Sequence, residues 1–132
     1  MAFTANEQFS TVTPNNACPR AIPTHIQAKQ FANSGGAETL APLTLVAYNT
    51  STLKWGVWAT GGANGTGTVA GLVGWNGILL DATNDVLGNV FLGGEFHIDD
   101  IPVVGGTLAQ IKTALEVARP LGFIITGYAA FP

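Results

Sequence analysis

Titratable side chains crowd at one place in the sequence, the segment GEFHIDDI at residues 94–101. His97 and Asp99 would share one face of a strand there, because side chains alternate along extended chain. One imidazole and one carboxylate could ligate a metal ion, but such a site needs at least one more ligand from elsewhere. With Glu95, the same side chains could instead form the acidic site of a small hydrolase or lyase. We favour a structural or trimer-contact histidine followed by a solvated acidic turn.

Residues 65–70, GTGTVA, match the glycine fingerprint of dinucleotide-binding proteins. In that fingerprint the glycine-rich turn leads into a helix, and the N-terminus of the helix binds the pyrophosphate. Here the following stretch contains Gly71, Gly74 and Gly77, which do not favour a helix. The match therefore predicts a glycine loop and no nucleotide site.

The remaining reactive side chains form no catalytic pattern. Asp81 and Asp85 flank a turn, but the calcium-loop pattern DxDxDG is absent, so we interpret them as turn formers. Cys18 lies beside Pro19 without a nearby base, which predicts an inert thiol. The sequence contains no GxSxG elbow. We therefore predict no enzyme, with no catalytic, cofactor-binding or metal-binding residue.

Composition favours a protein that works in an assembly. Charged residues make up 10% of the chain, against about 25% in an average protein, and depletion of charge is typical of interface cores. The five basic residues are scattered, which disfavours nucleic-acid binding. The sequence contains no apolar run of about 18 residues, so it predicts no membrane-spanning helix. The N-terminus lacks a signal-peptide pattern and the cysteine is single, which fits synthesis in a cytoplasm.

Residues 1–39 differ from the rest of the chain and predict an extended arm. Three prolines interrupt a stretch rich in Asn, Thr, Gln and Ala, and no apolar period is sustained. A floppy tail is one interpretation; an arm that orders on a partner, partly by adding to a sheet edge, is the one we prefer. Isolated large apolar side chains support it, and we expect the anchors to be Phe3, Phe9, Val12, Ile22 and Ile26.

Residues 40–132 predict a β-rich domain organised around residues 69–101. Two apolar runs, 71–82 and 88–98, read as strands on either side of a polar turn. Before them, residues 43–48 and 53–59 predict a hairpin. Its Trp55 and Trp58 alternate between opposite faces, so one face would meet the core and the other a neighbouring element or subunit. Both tryptophans are candidates for a trimer interface.

The C-terminal part predicts one helix and one strand. Thr107 can cap a helix over residues 108–118, whose apolar residues recur at offsets of three and four, and Pro120 would end it. Residues 122–130 predict a final strand. The sequence thus predicts a mainly β fold with one C-terminal α-helix, and no alternation of strand and helix.

The order of these features resembles the head decoration proteins of tailed phages, the protein D family of lambda-like phages. The local matches are Ala41-Pro42-Leu43-Thr44-Leu45, the tryptophan-bearing hairpin that begins Leu53-Lys54-Trp55, the run 69–73 and the segment 94–101 ahead of the helix. The resemblance covers roughly residues 40–130. The chain departs from the family in a longer arm, a longer loop at residues 81–89 and extra C-terminal residues.

The resemblance implies a β-clip-like domain that forms a homotrimer on the outer surface of an expanded icosahedral capsid. It implies the major capsid protein as partner, with the arm ordering against it, and a location in the virion after synthesis in the host cytoplasm. The expected function is that of a capsid cement protein that stabilises the head against internal DNA pressure. Alternatives are a tail-tube or fibre-head subunit, a glycan-binding module, or the acidic-site hydrolase named above.

Overall fold

The computed structural model describes residues 21–127. Within that range the fold is mainly β, with one α-helix towards the C-terminal end, as the sequence predicts. The elements in chain order are β1 (Ile22–Phe31), β2 (Glu38–Leu40), β3 (Leu45–Asn49), β4 (Lys54–Val57), β5 (Gly71–Val73), β6 (Ile78–Leu80), β7 (Val86–His97), α1 (Leu108–Val117) and β8 (Phe123–Thr126). Short 3₁₀ turns cover Ile98–Asp100 and Arg119–Leu121.

The longest strand, β7, is the centre of the main sheet. One edge of β7 pairs antiparallel with β1, and its other edge pairs antiparallel with β5 and parallel with β8. β5 pairs with β3, which forms the predicted hairpin with β4. β4 meets β1 at a single parallel pair, Phe31 with Trp55, so β1, β7, β5, β3 and β4 close a ring. β2 and β6 form a separate two-stranded sheet.

Consecutive residues of the central strands enter two different hydrophobic clusters. Phe91 packs in a cluster beneath α1, whereas Val90 packs in a second cluster with Phe31 and the β2–β6 pair. Leu72 and Val73 of β5 divide in the same way. Because both faces are covered, these strands read as continuous apolar runs rather than as an alternation of apolar and polar residues.

Helix α1 begins and ends where its sequence predicts, within a residue. The Thr107 side chain accepts from the Gln110 backbone N–H, and the Gln110 side chain accepts from the Thr107 N–H, which makes a capping box. Ile111 and Leu115 are fully buried in the first cluster, and Ala118 follows them at the end of the helix.

One segment differs from the sequence prediction, and another is more closely packed than a glycine loop needs to be. The run 71–82 forms two strands in different sheets, because the chain turns at Gly77, whose φ of 68° favours glycine and whose N–H donates to the Gly74 oxygen. The glycine loop, residues 60–68, folds closely on itself. A Cβ at Gly67 would lie 2.8 Å from the Gly62 oxygen, and the indole Nε1 of Trp58 donates to the Gly67 oxygen at 2.9 Å.

No helix within residues 21–127 is long and apolar enough to cross a membrane.

Candidate functional site

Strand β1 lies inside the segment that the sequence predicts as an arm, and it has one open edge. It pairs with β7 from Ile22 to Phe31. Among the described residues, its other edge pairs with a strand only at Phe31, where the following Ala32 N–H also donates to the Trp55 oxygen at 3.1 Å. Most side chains of β1 are exposed. Residues 22–30 therefore present backbone groups that could pair with another extended chain.

The first half of β1 is fitted to two glycines of β7. The register shifts on both sides of His25, and Gly94 opposite Pro23 has a φ of 131°. A Cβ at Gly94 would lie 2.5 Å from the Ile22 oxygen. The pair Gly93-Gly94 is the sequence signal that another strand approaches closely here, and composition and periodicity missed it.

Apolar side chains line one face of the β1–β7 ribbon. Ile26 is directly opposite Phe91 in the register, so both side chains lie on the same face. The Trp75 ring packs edge-on against Phe91 with 5.1 Å between centroids, and it is itself half exposed. Leu87 lies further along the same face and is exposed. Ile26, Trp75 and Leu87 are thus exposed apolar side chains around the buried Phe91 on this face.

The second half of β1 is held to the body by Asp85. Its carboxylate lies 2.6 Å from the Lys54 ammonium, accepts from the Asn33 backbone N–H at 3.1 Å and accepts from the Gln30 amide at 3.2 Å. The Lys54 partner and the hydrogen bonds from Asn33 lower the pKa of the Asp85 carboxyl. Phe31 is fully buried beside it. β1 is thus anchored at its C-terminal end, and its second edge stays open to a partner over residues 22–30.

The structure places two of the five predicted arm anchors. Ile22 and Ile26 are both on β1, with exposed fractions of 56% and 55%. Phe3, Phe9 and Val12 lie outside the described residues. The sequence did not predict that residues 22–31 form a strand or that Phe31 is buried. The reason is that β1 pairs over its length while it exposes most of its side chains, so its sequence shows no apolar period.

The two tryptophans proposed for a trimer interface differ in exposure. Trp58 is 1% exposed and belongs to the cluster beneath α1, so its ring has almost no surface to offer a partner, and that expectation must be corrected. Trp55 is partly buried against the second cluster, with the Lys29 ammonium 5.5 Å from its ring. Both faces of the hairpin are covered by elements of the same chain.

The acidic segment at the end of β7 has the geometry of a local cap. The Nδ1 atom of His97 accepts from the Asp99 N–H at 3.2 Å and lies 3.7 Å from the Asp99 carboxylate. The backbone at Gly127 packs so closely on the imidazole that a Cβ there would overlap it. Within residues 21–127, no group of three or more His, Cys, Asp and Glu side chains is placed to hold a metal ion.

Comparison of the chain with models of known protein families, with curated proteins and with solved structures gave no match.

Proposed function

We propose that this protein is a capsid decoration protein, which binds as a homotrimer to the outer surface of an expanded phage head and stabilises it. In this proposal the domain has a β-clip-like fold, and the partner is the major capsid protein. The observation that carries the proposal is β1, an edge strand that continues directly from the N-terminal segment and has an open side over residues 22–30.

An open edge strand suits a protein that binds an extended segment of a partner. Backbone N–H and C=O groups supply affinity when a strand is added, and neighbouring side chains supply selectivity. Here Ile22 and Ile26 lie on the strand itself, and the exposed Trp75 packs against the buried Phe91 opposite Ile26. Pro23 and the register shift restrict pairing near the start of β1, so we expect the contact to centre on residues 26–30.

The surface of the described residues supports an assembly rather than an isolated monomer. Large apolar side chains more than half exposed occur on several elements, including Leu79 on β6, Leu87 on β7 and Val117 on α1. With charged residues at 10% of the chain, few Lys or Glu side chains separate them. A threefold ring uses a heterologous interface, in which two different surfaces of each copy meet, and a surface with several apolar areas can supply both.

Trimer formation would also explain how short contacts hold a shell together. Once one subunit has bound, the second and third bind as intramolecular events, so avidity exceeds the affinity of any one contact. A trimer that contacts neighbouring capsomers would then have to release several contacts at once before the shell could open. The resemblance in residues 40–130 to the head decoration family points to the same arrangement.

The test measures mass and shell binding together. Sedimentation equilibrium should give three times the chain mass of 13.6 kDa. Co-sedimentation should show binding to expanded shells of the major capsid protein from the same phage and none to their unexpanded precursors. Open-ended polymerisation would instead support a tail-tube subunit. A stable monomer that binds neither shell would rule the proposal out.

The contribution of β1 can be isolated with a matched pair of variants. Ile26→Asp places a charge beside the open edge and should weaken shell binding at least tenfold while leaving the trimer intact. Leu79→Asp changes a side chain of similar exposure on β6, away from β1, and is the control for a general effect of an added charge. Equal binding by the Ile26→Asp variant and the unmodified protein would contradict a role for β1.

A further inference from the structure

A groove runs between helix α1 and the glycine loop, residues 60–68, and no residue of β1 lines it. Its volume is about 380 Å³. Trp58 and Val69 form its floor, Ala114 and Val117 form the helix wall, and Leu121 lies where the helix ends. The floor residues are fully buried, while Val117 is 68% exposed at the rim.

The groove is uncharged and its walls are fixed. None of its lining side chains is acidic or basic; the polar ones are threonines and Gln110. The indole N–H of Trp58 is already bonded to Gly67, and the Gln110 side-chain oxygen accepts from Thr107 in the capping box. Because both walls are held by bonds within the chain, an occupant would bind a preformed surface and would have to be apolar with uncharged polar neighbours.

We propose that this groove holds the N-terminal segment of the same chain, around Phe9 and Val12. These residues lie in QFSTVT, residues 8–13, where two large apolar side chains are separated and flanked by uncharged polar ones. Glu7 is the single charged side chain in residues 2–18. Residues 8–13 and the groove lining thus share two properties. Neither contains a charged side chain, and each combines apolar groups with hydroxyl and amide groups.

The position at which the described chain begins is compatible with this occupant. Twenty residues precede Ala21, and Ala21 packs against the same cluster beneath α1 as the groove residue Ala114. Phe9 lies twelve positions before Ala21, and extended chain can stretch over roughly 40 Å across that distance in sequence. A domain of this size has a radius of gyration of about 13 Å, so Phe9 can reach the groove from Ala21 without displacing β1.

Docking in the groove would store the segment on the body of the protein. One consequence rests on the proposed function. If Phe9 and Val12 bind a shell, the segment would have to leave the groove before they could contact it. The groove and the shell would then compete for the same side chains, and shell binding would be weaker by the free energy of docking.

The test uses the full chain in the absence of shells, so its result does not depend on the proposed function. A Ser10→Cys substitution, with Cys18→Ser to leave one thiol, allows a nitroxide label to be attached next to Phe9. Amide signals of the ¹⁵N-labelled protein should then be broadened at residues 60–69 and 113–121. Signals of β2 and β6 should stay sharp.

Two variants of matched exposure test the groove itself. Val117→Lys puts a charge at the rim and should abolish the broadening, whereas Leu79→Lys, at 67% exposure against 68%, should leave it unchanged. Phe9→Ala with Val12→Ala should abolish it from the side of the segment. Sharp groove signals in the labelled parent protein would overturn the proposal. So would broadening of the groove signals in a mixture of spin-labelled ¹⁴N chains and unlabelled ¹⁵N chains refolded together, because the segment would then come from a second copy.

Discussion

Among single residues, Asp85 has the clearest electrostatic role. Its carboxylate joins β4 through Lys54 to the end of β1 through Gln30 and Asn33, so one side chain connects three parts of the chain. The pKa of this carboxyl is lowered in the folded protein by the bond to Lys54, so the charged form is favoured by folding. Its sequence context predicts a turn former, and the ion pair across 31 positions had no local signal.

The lowered pKa of Asp85 predicts a pH-dependent contribution to stability. A group whose folded-state pKa is depressed stabilises the fold above its unfolded pKa and loses that contribution as pH falls through the folded pKa. The Asp85→Asn variant should therefore melt below the unmodified protein at pH 7, and the difference should shrink in acid as the native carboxyl is protonated. Thermal melts between pH 7 and pH 2 measure this.

A double-mutant cycle with Lys54→Met controls the Asp85 experiment. If the two side chains act through their ion pair, the loss in the double variant should be smaller than the sum of the single losses. Additive losses would mean that Asp85 acts through the hydrogen bonds from Asn33 and Gln30 alone. A melting difference that does not change with pH would contradict a role for the charged carboxylate, because the Lys54 and Asn33 contacts both lower its pKa.

Trp58 should be the more costly of the two hairpin tryptophans to remove. Its ring is fully buried and its N–H is bonded to Gly67, so Trp58→Ala would leave both a cavity and an unpaired carbonyl. Removing a large buried aromatic side chain costs about 3–5 kcal/mol. Urea unfolding should show a loss in that range, with Trp55→Ala as the comparison, since Trp55 is only partly buried. A smaller loss for Trp58→Ala than for Trp55→Ala would contradict this account of the core.

At the scale of elements, local sequence signals predicted helix α1 and the hairpin of β3 and β4. The capping threonine, the apolar offsets and Pro120 located α1, and the Asn49 side chain makes the predicted turn by accepting from the Ser51 N–H. The hairpin of β3 and β4 followed from the same kind of signal. By contrast, β1 has no apolar period because only Phe31 is fully buried, and its existence depends on β7, more than 50 residues away in the chain.

The close approach of β1 to β7 predicts that Gly94 is needed to hold it. Gly94→Ala would place a Cβ against the Ile22 oxygen and would strain a residue with a φ of 131°. Hydrogen exchange should show lost protection for residues 22–26, while amides of α1 and β3 keep theirs. Gly36→Ala is the control, because it has open space around it and no strained φ. Unchanged protection of β1 in the Gly94→Ala variant would show that the contact yields easily.

For the whole molecule, the structure shows how much of the N-terminal segment can be deleted without removing a strand. The sequence prediction set the arm at residues 1–39, but residues 22–31 pair with β7 and bury Phe31, and residues 38–40 form β2. Deleting residues 1–36 would remove an entire strand of the ring. Deleting residues 1–20 removes Phe3, Phe9 and Val12 and keeps every described element.

We expect the two deletions to separate folding from binding. The protein lacking residues 1–20 should retain a cooperative thermal transition and the oligomeric state of the full chain, and it should bind expanded shells more weakly. The protein lacking residues 1–36 should lose the cooperative transition, because the core around Phe31 would be opened to water. Circular dichroism and sedimentation measure both. Unimpaired shell binding by the shorter deletion would limit the binding surface to β1 and the body.

The two-sided burial of β7 has a consequence for how the chain finds its correct pairing. Sliding a strand by one residue exchanges its faces, and usually that puts polar groups in the core. Around Val90 and Phe91 both faces of β7 are buried and apolar, so hydrophobicity there discriminates only weakly against a slip. Size must discriminate instead: Gly71 lies against the Val90 side chain and Gly88 against Ile78, in spaces where a Cβ would overlap those neighbours. If either strand slipped by one residue, a larger side chain would replace the glycine and would overlap these neighbours. Gly71 and Gly88 thus disfavour misaligned pairings during folding.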